Sequence, residues 1–462
     1  MTIAQSQAAV VVGELKDHFG ERLATTEAIR LQHGRDMSRL PAALPDAVVF
    51  VESEDEVRRV VSACFRHSVP VVPYGAGSSM EGHTIAVKGG ICIDMSRMNR
   101  IVEIHPEDGD AVVEAGVTRK QLNAHIRDTG LTFPIDPGAD ASLGGMASTR
   151  GSGTTAVRYG TMRENVLALR VVRADGTVIT TGTRARKSST GYDLTRLFVG
   201  AEGTLGVITE VTVRLHPIPE SVASAICAFE TVEGAVTTVI ETIQLGVPIA
   251  RVEFLDDTAI RATNLYSKLG LKETPTLFLE FHGSPRWVQE QSETVQEIAE
   301  ANGGSDFAWS TKEEERSRLW QARHDSIYSN KALRPGCDCY TTDVCVPISR
   351  LAESILTARA DIEASPLIGK IIGHVGDGNF HIAYLIEPDN AAELAEAERL
   401  ADRLVERALK VGGTASGEHG IGLAKLKYLR KEHGDAIDSM KAIKAALDPT
   451  GIMNPGKLGQ VG

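Results

Sequence analysis

No stretch of this sequence approaches the roughly 20 consecutive apolar residues of a membrane-crossing helix. The start, MTIAQSQAAVVVGELKDHFG, lacks the basic flank and the apolar run of a secretory leader. Both absences predict a cytoplasmic chain. Cysteine is scarce and unpatterned: Cys64, Cys92, Cys227, Cys337, Cys339 and Cys345 show no CxxC spacing, which argues against a disulfide framework. They read as reduced thiols, because the cramped Cys337-x-Cys339 pair has no second pair to complete a metal site. A basic stripe is missing too. With a net charge of -12 and scattered Lys and Arg, nucleic acid is not expected as a partner. Internal repeats are absent.

What is present is 462 residues, 42% of them hydrophobic, enough for two cores. Residues 47–73 read as strand, helix, strand. AVVFV is apolar, Val57, Val60, Val61 and Cys64 share one helical face, and VPVVP follows. Ser53 and Glu56 predict a capping box at that helix start. From about Ile91 to His216 short strands alternate with glycine loops, among them the hairpin VVRADGTVIT. After His216-Pro217-Ile218-Pro219 the pattern changes. Helical runs at 231–245, 285–301, 311–330 and 391–410 alternate with strands such as TLFLEF. The fold class is α+β, with a first domain over 1–219, a second over 220–411 and a returning segment over 412–462.

Three glycine-rich segments stand out. PYGAGSSMEGHT (73–84) leaves an apolar strand and combines Gly75, Gly77 and Gly82 with Ser78 and Ser79, a composition that brings backbone N–H groups close to phosphate oxygens. It is no dinucleotide loop of the NAD type. Met80 replaces the third glycine, and a strand-like run follows instead of a helix. The second segment, 136–166, is too long and glycine-rich for a plain connector unless it wraps a ligand. The third, FVGAEGTLGVITEV (198–211), sets Glu202, Gly203 and Gly206 before a strand.

In order and content these segments resemble the FAD-binding domain of the vanillyl-alcohol oxidase and p-cresol methylhydroxylase superfamily, over about residues 40–217. The resemblance implies a two-subdomain FAD domain of the p-cresol methylhydroxylase type, followed by an α+β substrate cap. It implies that Pro73, Gly75, Ala76, Gly77, Ser78, Ser79, Gly82 and His83, with Pro137, Gly144, Gly145, Ser148, Gly151 and Gly153, hold the pyrophosphate and its surroundings. Tyr159, Gly160, Glu202, Gly206, Ile208 and Asn454 would line the rest. Small residues stand where relatives often carry a tethering histidine, so non-covalent FAD is expected, with His83 as a structural or cofactor-lining residue.

A different signal lies at IIGHVGDGNFHIAYLI (371–386), where two apolar β-branched runs enclose Asp377-Gly378, a strong hairpin signal. With those two residues as the turn, His374 stands opposite His381, Cβ atoms about 5 Å apart. GTASGEHGIG (413–422) offers Glu418 and His419 in what reads as an extended stretch, side chains on opposite sides. Two imidazoles and a carboxylate leave open positions on a divalent ion, Zn²⁺ first, with Mn²⁺, Co²⁺ and Fe²⁺ not separable from it.

GHVGDGNFH, SGEHGIG and the closing DPTGIMNPGK resemble the metal-containing, FAD-linked 2-hydroxy acid dehydrogenases, over nearly the whole chain. Carried over position by position, this implies His374, His381 and Glu418 as metal ligands, His419 as catalytic base and Arg323 as the partner of a substrate carboxylate. His324 reads as a surface or supporting residue. CDCYTTDVCVP (337–347) offers no further basic group for a second acid and resembles members acting on D-lactate, which puts D-lactate ahead of glycolate and D-2-hydroxyglutarate. The implied partners are a small 2-hydroxy acid and an acceptor that is a cytochrome, a quinone or an electron-transfer flavoprotein, met peripherally at a membrane. A homodimer is left open. The alternative of another class is a metal-dependent hydrolase with purely structural glycine loops.

Overall fold

The amphipathic stretch after Ser53 forms the helix Glu54–His67, burying Val57, Val60, Val61 and Cys64 on one side. In this computed structural model, which describes residues 3–458 apart from Ile327, Ser53 accepts the Glu56 N–H as a helix cap should. The other half of the predicted box does not form. Glu56 instead takes the Glu52 N–H and a forked bond from Arg22, a stronger, charged donor. The side chains of residues 3–6 and of His324 lie outside the described set, and with them the reading of His324.

The chain divides into two compact units. One comprises Met1–Ser152, Gly160–Ile218 and Glu418–Gly462; the other comprises Gly153–Tyr159 and Pro219–Gly417. In the first, strands Ala47–Phe50 and Val71–Tyr74 flank Ile91–Asp94 in parallel, as a strand–helix–strand connection requires. A five-stranded antiparallel sheet follows, ordered Ile101–His105, Asp110–Glu114, Val207–Arg214, Val166–Val172, Val178–Thr180. The C-terminal return adds to the parallel sheet, where Met453 bridges Val71 and the Val71 N–H donates to Ile452 O.

The second unit is built on a sheet of eight strands among the described residues, antiparallel throughout. Arg251–Leu255 lies between Thr276–Gly283 and Ile368–His374, and Asn379–Ile386 follows next to Ile368–His374. Its core carries Phe229, Phe254, Phe278 and Phe281, all buried. Two expectations shift here. The run 311–330 is not one helix but Glu313–His324 followed by a separate turn, Asn330–Leu333. The buried Lys370 ammonium donates to the Ser326 carbonyl and to both the Ser326 and Ser329 hydroxyls, oxygens a continuing helix would orient elsewhere. The return to the first unit starts at Glu418, not at 412, because Thr414 bridges Cys345 and Ser416 Oγ bonds Asp343. All six cysteines are unpaired thiols. No helix among the described residues is long and apolar enough to cross a membrane.

Candidate active site

A cavity opens in the first unit, lined by glycine-rich loops. The loop after Val71–Tyr74 contributes Pro73, Gly75, Ala76, Gly77, Ser78, Ser79 and His83; the second glycine segment contributes Pro137, Gly144, Gly145, Ser148 and Gly151. Glu202, Gly206, Ile208 and Asn454 complete the predicted lining, and Glu418 and His419 face the same space. Two glycines show why no side chain is tolerated. Gly77 has φ +66°, and a Cβ on Gly144 would fall 2.6 Å from Ala115 Cβ and 2.8 Å from its carbonyl oxygen.

Four residues carried over for cofactor contact are not among the lining. Gly82 has φ +84° and abuts Leu40 and Leu423, so turn geometry explains it. Gly160 has φ +75° beside Glu164, which caps the short helix Met162–Asn165. Gly153 and Tyr159 belong to the second unit, where the Tyr159 hydroxyl meets His282 Nδ1 at 2.8 Å and His282 Nε2 meets Glu280 at 2.8 Å.

Beside the cavity lies a web of buried acids and imidazoles. His83 Nε2 sits 3.3 Å from Glu202, whose carboxylate also accepts the Ile421 and Gly422 N–H groups at 2.7 and 2.9 Å. Burial opposes charge on both partners, yet the pair wins: Glu202 is held below the usual carboxylate range and His83 above the usual imidazole range. Asn454 locks the web by donating to the carbonyls of His83 and Glu202. His419 Nδ1 lies 3.4 Å from Glu81 Oε1, and its Nε2 lies 3.8 Å from Glu418. The segment is bent, not extended, so Glu418 and His419 do not point to opposite sides. Composition hid Glu81. An acid inside a loop otherwise suited to anions was the available clue.

In the second unit the hairpin keeps its histidines together by a route other than the expected one. His374 pairs with Asn379 and Ile372 with His381, so the loop is Val375–Gly378 and the register lies two residues from that of a tight Asp377-Gly378 turn. Gly378 has φ +77°, and the Asp377 N–H donates to His374 O, which closes the wider loop. A shift of two preserves the sheet face. The rings therefore still meet, with centroids 5.3 Å apart.

Each imidazole is held at Nδ1. His374 Nδ1 lies 2.6 Å from Glu253 Oε1, and His381 Nδ1 lies 3.1 Å from the Thr342 carbonyl. Asp343 stands 3.7 Å from His381 and takes the Asn379 amide at 2.7 Å. Arg323 is buried, and its Nε and Nη2 both bond Glu253 Oε2, at 2.9 and 2.5 Å, a partner the sequence did not reveal. Burial would raise the Glu253 pKa, but His374 and Arg323 outweigh it and hold the carboxylate low. Glu418, the third ligand implied by the sequence, opens the C-terminal stretch of the first unit.

Residues 45–182 match the family model described as FAD binding domain, and residues 218–458 match FAD linked oxidases, C-terminal domain. The chain belongs to the FAD-linked oxidases. This FAD-linked oxidase is 53% identical over 442 residues to a protein of Danio rerio named probable D-lactate dehydrogenase, mitochondrial, covering 95% of the present chain and 89% of that one. It is 47% identical to D-lactate dehydrogenase [cytochrome], mitochondrial, of Arabidopsis thaliana, covering 97% and 80%. Crystalline p-cresol methylhydroxylase with substrate bound superimposes with TM-score 0.81 at 19% identity, over 98% and 97% of the two chains, so the expected fold holds. The FAD-binding match removes the ground for a hydrolase with merely structural glycine loops.

Proposed function

We propose that this oxidase converts D-lactate to pyruvate with bound FAD and a divalent ion, passing electrons to a cytochrome or another non-NAD acceptor. The supporting observation is the pair of buried imidazoles, His374 and His381, with ring centroids 5.3 Å apart and each held at Nδ1; Glu418, followed in the chain by His419, is the third ligand that the sequence implies. FAD fits a cavity lined by the small residues from Gly75 to Ser79, where a methyl group on Gly144 would find no room. Non-covalent binding is proposed, with His83 committed to Glu202.

A dication fits the donor set on two counts. Glu253 and the Thr342 carbonyl accept hydrogen bonds, so each histidine carries its proton on Nδ1, and Nε2 is the ligating nitrogen. Glu253 and Asp343 stand against one guanidinium, Arg323, leaving one negative charge, to which the Glu418 carboxylate would add a second for a doubly charged ion. Zn²⁺ leads, and Mn²⁺, Co²⁺ and Fe²⁺ share the chemistry.

FAD supplies an acceptor for the substrate hydride, and the ion supplies positive charge at the substrate hydroxyl. The side chains do the rest. Glu81 beside His419 Nδ1 favours a proton there and leaves the basic lone pair on Nε2 to take the hydroxyl proton. Arg323, whose Nη1 makes no hydrogen bond among the described residues, offers that edge to the substrate carboxylate. Glycolate and D-2-hydroxyglutarate are the alternatives, and 337–347 carries no Lys or Arg for a second acid. A cytoplasmic location, peripheral at a membrane during electron delivery, is part of the proposal; the two relatives named mitochondrial set the competing compartment. The test is anaerobic bleaching of the flavin band by a panel of D- and L-2-hydroxy acids. D-lactate should bleach fastest and L-lactate scarcely at all; preference for glycolate or a dicarboxylate contradicts the assignment.

A further inference from the structure

We infer that Glu253 is a positioning residue that fixes the ligating tautomer of His374 and clamps Arg323 with its other oxygen, so that ion retention depends on one buried carboxylate that touches no substrate. Phe254 pairs with Gly373 in the sheet, and one step further in the same register Glu253 faces His374. The contact is therefore set by strand pairing, not by a mobile side chain. Glu253 is completely buried, at 0% exposure, and its two oxygens are divided: Oε1 takes His374 Nδ1, and Oε2 takes the Nε and Nη2 of Arg323. A carboxylate can only accept here, so His374 must donate from Nδ1 and turn its lone pair outward on Nε2. The fork from Arg323 holds the acid in that orientation and satisfies its charge in a site closed to water.

A glutamine of nearly the same shape cannot serve both neighbours. If its amide NH₂ faces His374, the imidazole proton is driven to Nε2, the nitrogen needed for the ion. If the NH₂ faces Arg323, two donors collide.

This role rests on the metal site proposed above, and the experiment separates the two. Full-length, FAD-loaded protein is stripped of metal and titrated with Co²⁺, followed by its visible ligand-field absorption. Wild type should bind one ion, Glu253→Gln should bind about 10- to 100-fold more weakly with unchanged FAD content, and Glu253→Asp, which keeps the charge, should recover part of the loss. Equal affinity in wild type and Glu253→Gln overturns the positioning role. No ion bound by wild type overturns the metal site instead. A measurement that needs no variant at Glu253 is nitrogen NMR of metal-free wild type with labelled histidine, the His374 signal identified by its loss in His374→Gln. A proton on Nδ1 is expected; a proton on Nε2 refutes the assignment.

Discussion

The cavity of the first unit is lined by glycine-rich loops, whereas the histidine pair of the second is made of buried side chains held at Nδ1 by a carboxylate and a carbonyl. That difference decides how each can fail. A glycine-lined cradle is disrupted by adding one methyl group where the neighbour cannot swing away, as at Gly144, which abuts the Cβ and the carbonyl oxygen of Ala115. The imidazole pair fails instead by the loss of a single lone pair.

The largest effect should come from removal of the proposed base. His419→Ala should slow flavin reduction by D-lactate about 10²- to 10⁴-fold, while FAD and ion contents stay those of wild type. Unchanged bleaching removes the base assignment. Next, His374→Ala should lose the ion and retain FAD, whereas Gly144→Ala should lose FAD at a cost of about 1–3 kcal/mol of stability from overpacking. Metal analysis, the flavin band and denaturant melts on both variants test the contrast, and loss of FAD from His374→Ala would break it.

The smallest effect compares the units through their buried lysines. Lys370 donates to Ser326 and Ser329, Lys457 to Ile85 O and Asn454, and burial lowers both to about 8. Between that value and the unfolded lysine range the unfolded chain binds more protons, so each lysine makes stability rise with pH, by at most about 1.4 kcal/mol per pH unit. Denaturant midpoints measured from pH 8 to about 10 should climb less in Lys457→Met than in wild type. An equal slope would show that Lys457 keeps its proton throughout.

The same contrast explains what could be seen in the sequence. Glycines and hydroxyls that build a cradle are local, so the segments 73–84 and 136–166 announced themselves without their partners. His374 and His381 were also legible, because a shift of two residues in the hairpin leaves both on one face. Glu253 was not, since it comes from a strand 121 residues away from His374 and looks like any acid in an apolar run. Glu81 was not legible, because the glycines and serines around it in 73–84 point to an anion site. Tyr159 is near in sequence to residues that line the cavity, yet it is not part of that lining, and its hydroxyl is engaged by His282.

The most direct measurement is anaerobic reduction of the bound flavin by D-lactate before chelation, after chelation and after Zn²⁺ is returned. Rapid bleaching, its loss without release of FAD, and its recovery are expected. Bleaching that survives complete removal of the metal would contradict an oxidation organised by His374, His381 and Glu418.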